Sequence, residues 1–272
     1  MLFTRRRALV AISATSGAAL MPHALVAQTS NLLVGAEVCA LTPEVTEGPY
    51  YVDPGLVRAN ITEGRPGVPM RLRMQVVDAT CAPVNNARVD VWHCDAQGIY
   101  SGFGGGETGQ ESAEGDTFLR GTLFADAAGV VEFATIYPGW YRGRTTHVHF
   151  KVFLDERTVL TGQVFFPDAL SEFLYLNAPD YARSSTRDTL NADDGIAAQA
   201  TRASYAAVSE GDATYLAQLV VGVDPAATSQ AGARGPGDGP PPGPRPVSEG
   251  GAEVEPAQDA NRIQTLLPGG GE

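Results

Sequence analysis

The stretch YPGWYRGRTTHVHFKV, Tyr137 to Val152, decides how the chain is read. Its last part alternates: His147, His149 and Lys151 are polar, while Val148, Phe150 and Val152 are apolar. A period of two is that of a β-strand, whose successive side chains point to opposite faces. The apolar set belongs against a core, so the two imidazoles share the other face and can aim at one point. Two readings of that face are open. It is either a metal site or a solvated polar face, since Lys151 lies on it too. The whole chain holds four histidines, and H-x-H alone is a weak motif.

Runs of the same kind flank this strand. MRLRMQVVD (Met70–Asp78) places Met70, Leu72 and Met74 on one face, and ARVDVWHCD, TFLRGTLFAD, GVVEFATI and TGQVFF follow, punctuated by Gly, Asp and Pro. DAAG (Asp126–Gly129) reads as a hairpin turn. DALSEFLYL (168–176) has the pattern of a short helix, and ASYAAVSEGDATYLAQLVVGV (203–223) that of a closing hairpin turning at EGD. Short strands at this spacing predict an all-β fold: an antiparallel β-sandwich over residues 28–223, with irregular loops and few short helices. After Val223 the composition changes. GPGDGPPPGPRPVSEGGAEVEP cannot bury enough apolar surface to offset its ordering entropy, so residues 224–272 are expected to form a disordered tail.

Of the 272 residues, 43% are hydrophobic and 18% charged, an ordinary globular composition. The formal charge of −12 repels phosphate backbones, which argues against nucleic-acid binding. The opening MLFTRRRALVAISATSGAALMPHALVAQ sets an arginine cluster before a short apolar stretch that ends near ALVA. That is the layout of a cleaved export signal over residues 1–27, and no membrane span is expected once it is removed. TRRRALV points to the twin-arginine route, hence to a periplasmic or extracellular protein. Export permits disulfides. Cys39, Cys81 and Cys94 allow one bridge in any of three pairings, with one thiol left over.

No cysteine lies near the histidine pair, and no carboxylate lies between Tyr137 and Lys151. The arrangement of two histidines and one carboxylate therefore lacks a local third ligand. The nearby oxygen donors are the phenols of Tyr137 and Tyr141. A phenol normally ionises near pH ~10, so displacing its proton takes a strongly Lewis-acidic cation. Iron(III) does this; magnesium and calcium do not.

Four longer stretches carry a resemblance. LTPEVTEGPYYVD, VDVWHCDAQGIYSGF, FLRGTLFADAAGVVEFATIYPGWYRGRTTHVHFKV and TGQVFFPD, in this order and spacing, resemble the intradiol ring-cleavage dioxygenases from Leu41 to about Val223. The resemblance implies a β-sandwich holding one iron(III) per chain through Tyr100, Tyr141, His147 and His149. It implies that Arg144 and Gln163 lie beside the substrate, that Tyr141 also serves as a base, and that Pro49 and Tyr50 wall the pocket. The implied reaction cleaves a catechol-type diol with O2 between its two hydroxylated carbons, giving cis,cis-muconate-type products. Tyr137 matches no ligand position and is expected to pack; Trp92 is expected in the core, and His93 is the fallback ligand. The short lead before TEGPYY leaves no room for the helical dimerisation region of catechol dioxygenases, so the oligomeric state stays open. A secreted, non-catalytic β-sandwich module binding aromatic or carbohydrate polymers is the alternative. A further rival keeps catalysis but sets zinc or copper on the imidazoles.

Overall fold

The computed structural model describes residues 40–53, 55–103 and 112–231. The expected export segment, Cys39 and the stretch beyond Ala231 lie outside the described residues. The strands are β1 (Pro69–Val77), β2 (Arg88–Trp92), β3 (Arg120–Phe124), β4 (Val130–Ile136), β5 (His147–Leu154), β6 (Arg157–Phe165), β7 (Ala207–Glu210) and β8 (Tyr215–Gly222). One helix, α1 (Asp168–Asn177), and three-residue 3-10 turns at Pro179–Tyr181, Ala197–Gln199 and Arg202–Ser204 interrupt them. Among the described residues no helix is long and apolar enough to cross a membrane. The strands form two four-stranded sheets, ordered β4-β1-β8-β7 and β3-β2-β5-β6. The all-β sandwich that the alternation predicts is the fold found.

The core lies between these sheets. Val148, Phe150 and Val152 of β5 are fully buried in one cluster with Met70, Leu72, Met74 and Val76 of β1. Fully burying a side chain of this kind is worth about 1.5–3 kcal/mol. On β6, Gly162 pairs with Phe150, and a Cβ there would lie 2.3 Å from Phe150 Cζ. Only glycine lets the ring lie across that strand.

The structure departs from the expected pattern in three places. β8 runs parallel to β1, although the other pairs are antiparallel. The long excursion through the second sheet supplies the crossover that a parallel pair needs. DAAG is a tight turn, with Gly129 at φ +75 donating to Asp126 O at 2.9 Å. It makes no hairpin, however: β3 pairs with β2 and β4 with β1, so the turn carries the chain from one sheet to the other. Finally, residues 224–231 run along β6. Arg157 donates to the carbonyls of Pro225, Ala226 and Ala227, and Ser229 N donates to Thr158 O at 2.9 Å. Cys81 is disulfide-bonded, and Cys94 is a free, buried thiol.

Candidate metal centre

The register of the second sheet sets four residues in one row: Arg120 of β3, Trp92 of β2, His149 of β5 and Gln163 of β6. Their side chains leave the sheet on the face opposite the core. The second row along holds Thr122, Asp90, Lys151 and Thr161. Left open, this polar face would be solvated. Instead residues 45–53 and 55–58 cover it. Val45 N donates to Thr161 O at 3.1 Å, Arg58 N to Thr122 O at 3.0 Å, and Gln163 Nε2 to Thr46 O at 3.2 Å. Glu47 pairs with Lys151, and the Tyr51 hydroxyl donates to Asp90 at 2.9 Å. His147, His149 and Lys151 are consequently 2%, 1% and 8% exposed, so the solvated reading of this face fails.

Tyr100, from the loop after β2, and Tyr141, from the turn before β5, bring their hydroxyls to the histidine pair. Tyr100 Oη lies 3.3 Å and Tyr141 Oη 3.1 Å from His147 Nε2, which is itself 3.0 Å from His149 Nε2. His147 Nδ1–H donates to Thr145 O at 2.6 Å, which leaves the Nε2 lone pair aimed at the other three atoms. His149 stacks on Trp92 at 4.9 Å and 12°. Its Nδ1 is buried without a hydrogen-bond partner among the described residues. Burial first, then neighbouring positive charge, pushes both imidazole pKa values well below the usual range, so both rings are neutral. Burial pushes both phenols up.

This donor set fits a bound metal ion. Bonds of about 2.1 Å meeting at right angles separate neighbouring donors by about 3 Å, the spacing found here. Neutral imidazoles are ready ligands, whereas phenols in so buried a setting ionise only beside a strongly acidic cation, which favours iron(III). Among the described residues no group of three His, Cys, Asp or Glu side chains could hold a metal. The phenols are the oxygen donors that stand beside the two imidazoles.

Arg144 is buried beside the cluster, with Nη1 3.4 Å from His147 Nε2. Its Nη2 donates to Gln163 Oε1 at 2.5 Å and its Nε to Asp194 at 2.8 Å. Tyr50 stacks on Tyr100 at 4.3 Å and 12°, and sets its ring edge-on to Tyr141 at 6.3 Å. Pro49, beside it in the same turn, is exposed. Gly48 comes so close that a Cβ would sit 3.3 Å from His149 Cε1. Tyr137 lies in the main core, its hydroxyl bonded to Ser171 at 2.8 Å. His93 is bonded to Cys94 O and Thr135 Oγ1 and does not join the donors.

Trp92 is in a hydrophobic core as expected, though a second and smaller one. It is buried, but on the outer face against His149 and Tyr51 and outside the main core, because its register partner is His149. Sequence reasoning missed two residues. Arg120 donates to Ser101 O at 2.7 Å and Tyr50 O at 2.6 Å, tying the Tyr100 loop to the Tyr50 turn. Burial pushes its pKa down to about 10 against the pull of Tyr100. Asp194 meets Arg144 from 50 residues away. Pairings across strands and distant loops leave no local signal.

Comparison with known proteins bears on the family and the fold. The family model described as "Dioxygenase" matches residues 45–208, more than half of the chain. Catechol 1,2-dioxygenase of Pseudomonas sp. (strain EST1001) is 26% identical over 172 residues, covering 54% of this chain and 55% of that protein. Catechol 1,2-dioxygenase 1 of Acinetobacter lwoffii is 31% identical over 145 residues, 45% of each chain. The chain thus spans about half the length of the curated relatives it matches. An intradiol ring-cleavage dioxygenase from Tetranychus urticae superposes with a TM-score of 0.66 at 31% identity, over 71% of this chain and 98% of that one. Family match, relatives and sandwich agree: the chain belongs to the intradiol ring-cleavage dioxygenases.

Proposed function

We propose that this protein is a non-haem iron(III) dioxygenase that opens catechol-type diols between their two hydroxylated carbons, incorporating both atoms of O2 into a cis,cis-muconate-type product. The observation that carries this reading is the approach of Tyr100 Oη, Tyr141 Oη and His149 Nε2 to within 3.3 Å of His147 Nε2. The names of the catechol 1,2-dioxygenase relatives support the substrate class. Tyr100, Tyr141, His147 and His149 would hold the iron(III), which would supply Lewis acidity toward the diol.

The chain's own residues do the rest. Tyr141 Oη takes one of the diol's protons. Burial raises its affinity for a proton, so it keeps the one it accepts. Arg144 sets a fixed positive charge where the ring gains anionic character, and Gln163 holds the Nη2 end of that guanidinium. Tyr50 and Pro49 wall the site, with the Tyr50 ring excluding water from one face of Tyr100. In this reading the protein acts outside the cytoplasm, exported by the twin-arginine route suggested by TRRRALV. A non-catalytic binding module would leave four converging donors without a role.

Oxygen uptake by the iron-loaded protein with catechol, 4-substituted catechols and hydroxyquinol, with the products identified, tests the proposal. One O2 consumed per diol and a muconate-type product are expected. Cleavage outside the diol pair, or no uptake with any of these, refutes it.

A further inference from the structure

We infer that Asp194 is a positioning residue: it sets the direction in which Arg144 faces the donor cluster, and through Arg144 the affinity for an ionised diol. The inference rests on the reading of Arg144 as substrate-facing. Asp194 is 2% exposed, and four hydrogen bonds fix its carboxylate. Oδ2 accepts from Arg144 Nε and from Thr145 N, both at 2.8 Å. Oδ1 accepts from Ile196 N at 2.8 Å and Ala197 N at 3.1 Å. The turn itself is anchored, since Asn191 Nδ2 donates to Phe166 O and Thr145 Oγ1 donates to Asn191 Oδ1.

An arginine is long and flexible, with about 2 kcal/mol of rotamer entropy to lose on being fixed. The Arg144 N–H donates to Tyr141 O at 3.2 Å, which fixes the backbone of this turn but not the long side chain beyond it. What aims it is occupancy of its donors. Asp194 holds Nε, Gln163 holds Nη2, and the Nη1 edge is left toward His147. The carboxylate also draws the cation from behind. Without it, the nearest anionic partners for Arg144 are the phenol oxygens of the cluster once ionised, and a guanidinium spent on those is lost to the diol. Burial opposes ionisation of Asp194, but the Arg144 charge and the hydrogen bonds outweigh it and hold the carboxyl below its usual range.

Asp194→Asn separates aiming from a merely structural role. The amide oxygen can still accept from Ile196 N and Ala197 N, while its NH2 group cannot accept from Arg144 Nε or Thr145 N. The test is the binding of 4-nitrocatechol to iron-loaded protein, followed by its absorbance. Asp194→Asn should keep its iron and its folding transition but bind the probe about tenfold more weakly, a loss of about 1.4 kcal/mol. Arg144→Gln should lose at least as much, and the double variant no more than Arg144→Gln alone. Arg144→Lys leaves Asp194 untouched and keeps the charge, yet cannot span both Asp194 and Gln163; it too should lose about tenfold.

Probe affinity within twofold of wild type in Asp194→Asn overturns the inference, as does an equal loss from Asp194→Asn with and without Arg144. Should Asp194→Asn fail to fold, Arg144→Lys binding as wild type does would overturn it. A wild type that binds the probe but cleaves no catechol would defeat the ring-cleavage reading while the affinities still decide the part played by Asp194. If wild type cleaves catechol and the variants bind normally, only the inference falls. A wild type that does not bind the probe overturns both.

Discussion

Acid should unfold the metal-free protein through its buried histidines. His93 is 1% exposed, donates from Nδ1 to Cys94 O at 2.8 Å and accepts at Nε2 from Thr135 Oγ1 at 2.7 Å. Burial, the largest influence, pushes its pKa down from 6.5 to about 4. Between those values the unfolded chain binds a proton that the folded chain refuses, so stability falls as pH falls. At about 1.4 kcal/mol per pH unit, the full gap is worth about 3.5 kcal/mol, and the part between pH 6.5 and 5 about 2 kcal/mol. A domain is typically stable by only 5–15 kcal/mol. His147 and His149 are pushed in the same direction, burial again leading, and steepen the loss. The assay is urea unfolding between pH 7 and 5, above most carboxylate titration, with and without iron. Metal-free protein should lose at least about 2 kcal/mol over that range. Iron-loaded protein should start more stable but lose at least as much over that range, since its unfolding frees the same imidazoles to bind protons and returns protons to the two phenolates as well. Metal-free stability that stays flat from pH 6.5 to 5 would refute the argument.

Further substitutions test other parts of the site. Tyr100→Phe should remove or weaken the visible absorption of the iron-loaded protein, whereas Tyr137→Phe, in the core, should leave it nearly unchanged; equal behaviour in absorbance spectra contradicts the ligand assignment. Gly48→Ala combines a strained backbone at φ +73 with a Cβ 3.3 Å from His149 Cε1. It should cost about 1–2 kcal/mol in urea unfolding and lower iron affinity in a chelator competition; wild-type values for both would show that Gly48 is under no constraint. Trp92→Phe removes packing against His149 together with an indole N–H that has no partner among the described residues. These effects oppose each other, so the thermal transition should move little while iron affinity falls. A fall in Tm with unchanged iron affinity would make Trp92 ordinary filler.

The strands and the helix were legible because their signals are local. The period of two in THVHFKVFL assigns Val148, Phe150 and Val152 to one face and both histidines to the other, and the structure divides them the same way: the apolar three join the main core, while the histidines meet each other outside it. What local pattern cannot carry is pairing. DAAG signals a reversal but not which sheet the chain enters next, and nothing in β1 announces a parallel partner that comes after the second sheet is built. The open question about Lys151 and its histidine neighbours was decided by residues 45–53 and 55–58, which cover that face from about a hundred residues away in sequence. Tyr141 stands near the histidines in sequence. Tyr100 was identified through resemblance alone, since its own neighbourhood reads as a plain loop. Asp194 and Arg120 act through contacts 50 and 70 residues distant, with Arg144 and Tyr50.

The most direct test of the whole account is the visible spectrum of the purified protein beside its metal content. Tyrosinate on iron(III) predicts about one iron per chain and a broad visible band that weakens in Tyr100→Phe. A protein replete with iron but colourless, or one that takes up zinc or copper in place of iron, would contradict it.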